Sequence, residues 1–104
     1  MNRLVVSGAA RADLRAISRY GEREWGAARA KQYLGAIQSR FEWLLGAPEA
    51  GPSRRDIAAE YRSLLVGRHL IFYRVEEDAI FIVRILYQRM DAKAHFQGRD
   101  PDPQ

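Results

Sequence analysis

The apolar residues of this chain recur first at a spacing of three to four and later at a spacing of two, which predicts helices followed by strands. Arg3-Leu4-Val5-Val6-Ser7 is a short β-branched run, and Ser7 stands where a helix N-cap would, with small residues after it. Ala10, Leu14, Ile17, Gly21 and Trp25 then form an apolar stripe, with Arg11, Arg15, Arg19 and Arg23 between them on the other side. This predicts an amphipathic helix. Gly26 fits a break, and Ala30, Leu34, Ile37, Phe41 and Leu44, widened by Tyr33 and Leu45, repeat the pattern until Gly46-Ala47-Pro48 stops it. Two helices joined by almost no loop must pack as an antiparallel hairpin, and Trp25 is expected in the core at its tip.

Glu49 to Glu60 contains Gly51, Pro52 and Arg54-Arg55, with Ile57 as its only large apolar residue, and reads as a loop. Tyr61 to Val66 reads as a strand, Gly67-Arg68 as a turn, His69 to Glu76 as a second strand and Glu77-Asp78 as a tight turn into a third. That last run is apolar on both alternating faces, Ile80, Ile82 and Leu86 against Phe81, Val83, Ile85 and Tyr87, the pattern of a strand covered on both sides. Arg84 is the one charge inside it, and it must reach solvent or find a partner. Ala92 to Phe96 fits a helical turn, and residues 98–104, with two prolines, are expected to be a disordered tail. The order β-α-α-β-β-β predicts an α+β fold. An antiparallel helical hairpin covers one face of a three- to four-stranded, mainly antiparallel sheet with the N-terminal strand at an edge.

Composition narrows the chemistry. At 104 residues there is room for one core and not for two. The absence of cysteine excludes disulfides, thiolate metal sites and a cysteine nucleophile. Two histidines, His69 and His95, leave little for a metal site, and no metal or cofactor is expected. The net charge of +4 is uneven: residues 1–48 carry eight Lys/Arg against four acids, and 49–104 carry nine against nine. A basic first half invites nucleic acid or an acidic protein tail as partner, although it also suits a plain solvated helix. No stretch reaches the roughly 18 apolar residues needed to span a bilayer, and the N-terminus does not read as a signal peptide. A cytoplasmic protein without membrane association is expected.

For catalysis the inventory is thin, with no glycine-rich phosphate loop, no GxSxG and no His/carboxylate cluster at metal spacing. Basic and aromatic residues alone can run phosphodiester cleavage by ribose attack, which needs a base for the 2′-OH, cations on the phosphate and an acid for the leaving oxygen. Arg62, Arg68, Arg74, Arg84, Arg89, His69, Tyr73, Tyr87 and His95 are of suitable type. Each also has a structural reading. Tyr73 and Tyr87 fit packed aromatics with a hydrogen-bonded hydroxyl, and His69 fits the start of a strand. Arg62, Arg74 and Arg84 would pair with Glu60, Glu76 or Asp91 across the sheet.

Taken together, Ser7, Ala12-Asp13-Leu14, Ile17, Tyr20, Trp25-Gly26, Ala30, Tyr33, Phe41, Pro48-Glu49-Ala50-Gly51, Tyr61-Arg62, His69, Phe72-Tyr73-Arg74 and Arg84-Ile85-Leu86-Tyr87-Gln88-Arg89-Met90-Asp91 resemble the ParE branch of the RelE/ParE superfamily of type II toxins. The resemblance covers about residues 4–96. Its specific parts are the D-L-x-x-I-x-x-Y-x-x-x-x-W-G helix and the closing R-I-L-x-x-R-M-D. It implies a single RelE/ParE-like domain over residues 1–97 and a toxin that poisons DNA gyrase, blocks replication and arrests growth, in service of plasmid or chromosome stability. It also implies a ParD-like antitoxin with an acidic tail that folds on binding, and operator DNA reached only through that antitoxin.

On this resemblance the action is binding, with no catalytic residues of its own. The target-binding residues would be Arg84, Tyr87, Arg89, Met90 and Asp91, since hot spots favour Arg and Tyr. The antitoxin would take Arg11, Arg15, Arg19, Arg62 and Arg74. The alternatives are a RelE-type ribosome-dependent mRNA endonuclease using Arg62, Arg84 and His95, and a non-toxic relic that serves only as co-repressor. The tail departs from the ribonuclease pattern, with Ala94 at the nearest match for a catalytic tyrosine and His95 and Phe96 beside it.

Overall fold

Ser7 marks the first change of structure. In the computed structural model, which describes residues 3–96, its hydroxyl accepts a hydrogen bond from Ala10 N at 2.9 Å and donates one to Val83 O at 2.8 Å. The same side chain therefore caps a helix and ties that helix to the last strand. Before it lies β1 (Arg3–Val6) and after it α1 (Gly8–Trp25). Gly26 ends α1 at φ 92°, a backbone region open to glycine and strained for other residues, and α2 (Ala27–Gly46) starts at once. The hairpin forms as the pattern predicts. The expected tail, 98–104, lies outside the described residues.

Strands β2 (Tyr61–Val66), β3 (His69–Glu76) and β4 (Ala79–Tyr87) follow, and a short α3 (Ala92–Phe96) closes the described chain. Among the described residues the sheet order is β1-β4-β3-β2. β3 is antiparallel to both neighbours, whereas β1 lies parallel to β4, from Arg3 opposite Ala79 to Val6 opposite Ile82. The N-terminal strand thus takes the edge, as expected.

The apolar stripes of the hairpin meet one sheet face. Ala10, Ile37, Phe41 and Leu44 pack with Ile71, Tyr73, Ile80, Ile82 and Ile85. The other face carries a smaller cluster, in which Phe72, Leu86 and Ala92 are joined by Ile57, Leu70 and Phe96. β4 is therefore covered on both sides, but not by the simple alternation read from the sequence. A β-bulge between Phe72 and Tyr73, opposite Arg84 and Ile82, leaves Val83 as an extra residue. Past it the faces exchange, so that Ile85 joins the hairpin core and Leu86 the opposite cluster.

Two further expectations are corrected. Trp25 is 43% exposed and stands edge-on to Tyr20 and Tyr33, at 6.2 and 5.7 Å between ring centroids. It roofs the hairpin tip, where Gly21 and Ala30 pack so closely that little room is left beneath it. Arg62 and Arg84 do not pair across the sheet. Tyr73 does follow the structural reading: it is fully buried, donates to Pro48 O and accepts from Gly51 N, both at 2.9 Å.

Candidate functional site

β1 pairs with β4 only as far as Ile82. Beyond that point the outer edge of β4 has lost its neighbour, and a strand edge with unmet backbone groups must be covered or solvated. Asp13, in the second turn of α1, covers it. Its Oδ2 accepts hydrogen bonds from Ile85 N at 2.9 Å and from Arg84 Nε at 2.8 Å, and its Oδ1 accepts from Arg84 Nη2 at 3.0 Å. This fork-to-fork pair is largely withdrawn from solvent, with side chains 21% and 14% exposed. The lone charge of β4 thus finds its partner on α1, not at Glu60, Glu76 or Asp91. The reason is geometric: α1, not another strand, flanks that edge.

The pair forms one wall of a cleft of about 120 Å³. Ala16 and Ile17 extend the α1 wall, and His69, Tyr87, Met90 and His95 face it. His69 Nδ1 lies 2.7 Å from the Tyr33 hydroxyl, whose oxygen also accepts from Arg68 N at 3.0 Å. Burial pushes the His69 pKa below its ordinary value, and the charge of Asp13 opposes that only in part. The neutral ring then accepts the Tyr33 proton at Nδ1 and keeps its own on Nε2. Tyr33 also anchors the β2–β3 turn, where Gly67 at φ 59° leaves space that a Cβ would take from the tyrosine ring.

At the mouth of the cleft the chain leaves β4 through Gln88 to Asp91. Met90 N donates to Tyr87 O at 2.9 Å, holding a turn in which Arg89 and Met90 are exposed, Met90 by 49%. Asp91 caps α3 by accepting from Ala94 N at 3.2 Å. The residues singled out for target binding, Arg84, Tyr87, Arg89, Met90 and Asp91, therefore share one region. Arg84 is an interior support there, while Arg89 and Met90 are free to reach outward.

The ribonuclease set is not assembled. Arg84 and His95 line the cleft, but Arg62 sits on β2, separated from β4 by β3. It donates to the carbonyls of Glu49 and Gly51 at 3.2 and 2.8 Å, tying down the loop before β2. Arg74 stacks over Phe81 at 4.5 Å and lies 3.6 Å from Glu76. Its Nε is buried without a hydrogen-bond partner, at a groove of about 150 Å³ that Val5, Tyr61 and Phe81 also line. Arg11, Arg15 and Arg19 are exposed along α1, so the candidate antitoxin residues occupy separate surfaces. Among the described residues no group of three His, Cys, Asp or Glu side chains is placed to hold a metal ion, and no helix is long and apolar enough to cross a membrane.

Sequence reasoning missed the roles of Asp13 and of the Tyr33–His69 pair. A signal for the first existed: Asp13 lies within the inward half of α1, beside Leu14 and four residues before Ile17, where an acid needs a partner.

A family profile described as "ParE toxin of type II toxin-antitoxin system, parDE" matches residues 4–92. The chain is similar to Toxin ParE1 of Caulobacter vibrioides, 37% identical over 90 residues that cover 86% of this chain and 93% of that protein. It is likewise similar to Toxin ParE1 of Mycobacterium tuberculosis, 38% identical over 91 residues with the same coverage of 86% and 93%. Among solved structures, one titled as a chromosomal ParDE TA system from P. aeruginosa shares the fold, with a TM-score of 0.72 at 24% identity over 82% of this chain and 94% of that one. On the profile and the identities, the chain belongs to the ParE toxin family of type II toxin–antitoxin systems.

Proposed function

We propose that this toxin acts by binding DNA gyrase through the turn that follows β4, and that a ParD-like antitoxin neutralises it. The observation that carries the reading is the Asp13–Arg84 pair. An arginine whose fork is already filled by a carboxylate at 2.8 and 3.0 Å has little charge left for a scissile phosphate, yet it holds the base of an exposed Arg89-Met90 tip. Such a tip, with Tyr87 behind it, has the Arg and aromatic content of a binding hot spot. For the antitoxin, the groove at Arg74 offers an apolar floor beside a partly exposed guanidinium. An acidic tail would pair with that guanidinium. The solved relative's title, which names a ParDE system, agrees with a partner of the ParD kind.

The test is a supercoiling and cleavage assay with purified gyrase, ATP and plasmid. Linear, protein-linked DNA should accumulate with the toxin and not with toxin plus antitoxin. Arg89→Ala should remove the effect while leaving folding stability within about 0.5 kcal/mol of the parent, as for exposed positions generally. A folded Arg89→Ala protein that still poisons gyrase would take the turn out of the site.

One observation favours a second reading, mRNA cleavage. His69, Tyr87, Arg84 and His95 converge on the cleft, and imidazole, phenol and guanidinium are the groups such cleavage uses. Immediate arrest of translation in cells, without induction of a DNA-damage response, would select it, and His95→Ala would then be the decisive variant.

A further inference from the structure

Arg11, Arg15, Arg19 and Arg23 are all exposed on α1, each four residues from the next. At 1.5 Å and about 100° per residue they form a row about 18 Å long with a cation about every 6 Å, winding by about 40° at each step around the helix. The fold does not need this row. Like charges at i and i+4 destabilise a helix, and the first turn of α1 holds no acid, so Arg11 also faces the positive end of the helix dipole. None of the four takes part in an ion pair among the described residues, although Glu22 and Glu24 lie on the same helix. Only Arg23, in the last turn, suits the helix dipole; the like-charge spacing of the other three works against the helix and is explained by an external anion.

We infer that this row binds the phosphate backbone of duplex DNA directly and without sequence preference. The family resemblance implies the antitoxin as partner of Arg11, Arg15 and Arg19, with DNA reached only through it. The surface argues otherwise. A peptide that folds on binding must bury apolar area to offset its ordering; the exposed residues set between Arg11, Arg15 and Arg19 are Ala12 and Ala16, and the large exposed rings, Tyr20 and Trp25, stand at the other end of the helix. A duplex needs no apolar anchor, only regularly spaced cations on phosphates. Small neighbours let it approach the helix closely, and a row of this length spans about five base pairs. The row also runs beside the cleft, because Asp13, Ala16 and Ile17 of the same helix line it. DNA held there lies next to the Arg89 tip. The inference does not depend on gyrase as target, and its test contains no gyrase.

The experiment is fluorescence anisotropy of the purified toxin with labelled duplexes of about 20 base pairs, in two unrelated sequences, at 50 mM and 200 mM salt. Both duplexes should bind alike, and affinity should fall about 100-fold across that salt range, as expected for roughly four phosphate contacts. The combined variant Arg11→Gln, Arg15→Gln, Arg19→Gln, Arg23→Gln should lose at least about tenfold in affinity and most of the salt slope. A charge-matched control, Arg29→Gln, Lys31→Gln, Arg55→Gln, Arg68→Gln, also at exposed positions, should change affinity less than about threefold. Arg15→Gln alone should reduce the slope by about one, which keeps the test valid if the combined variant does not fold. Equal weakening by the control would reduce the effect to net charge and overturn the row. So would full binding by a folded row variant. A poly-glutamate peptide of matched charge that bound more tightly than the duplex would assign the row to an acidic protein instead.

Discussion

The two halves of β4 are held at their outer edge by different means. From Ala79 to Ile82 the edge pairs with β1, backbone to backbone. Beyond the bulge β1 is gone, and a carboxylate from α1 meets the Ile85 N–H. A ladder bond can be supplied by almost any residue, whereas the Asp13 link depends on one side chain at one place on a helix. The first half is thus fixed by hydrophobic pattern and the second by chemical identity. The exchange also frees space: where a strand would have continued, a helix stands back and leaves the cleft that the toxin's candidate binding turn borders.

Removing Asp13 should break this contrast most strongly. Asp13→Ala leaves the Ile85 N–H and the Arg84 guanidinium without their acceptor, both in partly buried positions, and should cost about 2–4 kcal/mol in urea denaturation. Arg84→Met removes the cation but leaves Asp13 bonded to Ile85 N, and should cost about half as much. A double-mutant cycle separates the pair from the backbone link. A loss under about 1 kcal/mol for Asp13→Ala would mean that solvent closes the β4 edge as well as the carboxylate does.

How much of this was legible follows the same division. Periodicity predicted β1, the hairpin, the Gly26 break and the strands of the meander, because each rests on burial of one face, and burial is what spacing records. The alternation along β4 failed at Val83, since a bulge leaves no trace in a run that is apolar on both faces. An arginine inside β4, Arg84, needs a partner on the sequence alone, but strand spacing points to acids across the sheet. Its true partner is distant in sequence and set by where β1 ends. Trp25 continues the spacing of the α1 stripe and so reads as core, yet at the hairpin tip it meets only Tyr20 and Tyr33 edge-on and stays 43% exposed. The candidate turn, Arg89 to Asp91, was legible only through resemblance, as nothing in its local pattern distinguishes it from an ordinary polar loop.

A smaller loss should follow at the joint between the halves. Ser7 accepts from Ala10 N and donates to Val83 O, so Ser7→Ala removes both a helix cap and the bond at the bulge residue. About 1–2 kcal/mol is expected, the upper part of the range for cap removal. Ser7→Thr, which keeps the hydroxyl, should recover most of it. If Ser7→Thr were as damaging as Ser7→Ala, the hydroxyl would not be the group that matters.

The mildest test reads the second half through its histidine. His69 has a folded pKa below its unfolded value because of burial, so the unfolded chain binds the proton more readily. Its contribution to stability is complete above about pH 6.5, the unfolded value, and is lost as the pH falls through the lower folded value. Protonation also turns Nδ1 into a donor, which reverses the 2.7 Å bond so that His69 donates to the Tyr33 oxygen, and the hydroxyl proton turns to Val66 O at 3.3 Å. Stability measured from pH 7.5 down to pH 5 should therefore decline less in His69→Gln than in the parent. The charge of Asp13 raises the His69 pKa against burial. Asp13→Asn should accordingly move the His69 titration, followed by NMR, to still lower pH. A titration that stayed in place would show that the carboxylate is fully occupied by Arg84 and Ile85 and has no field left to act across the cleft.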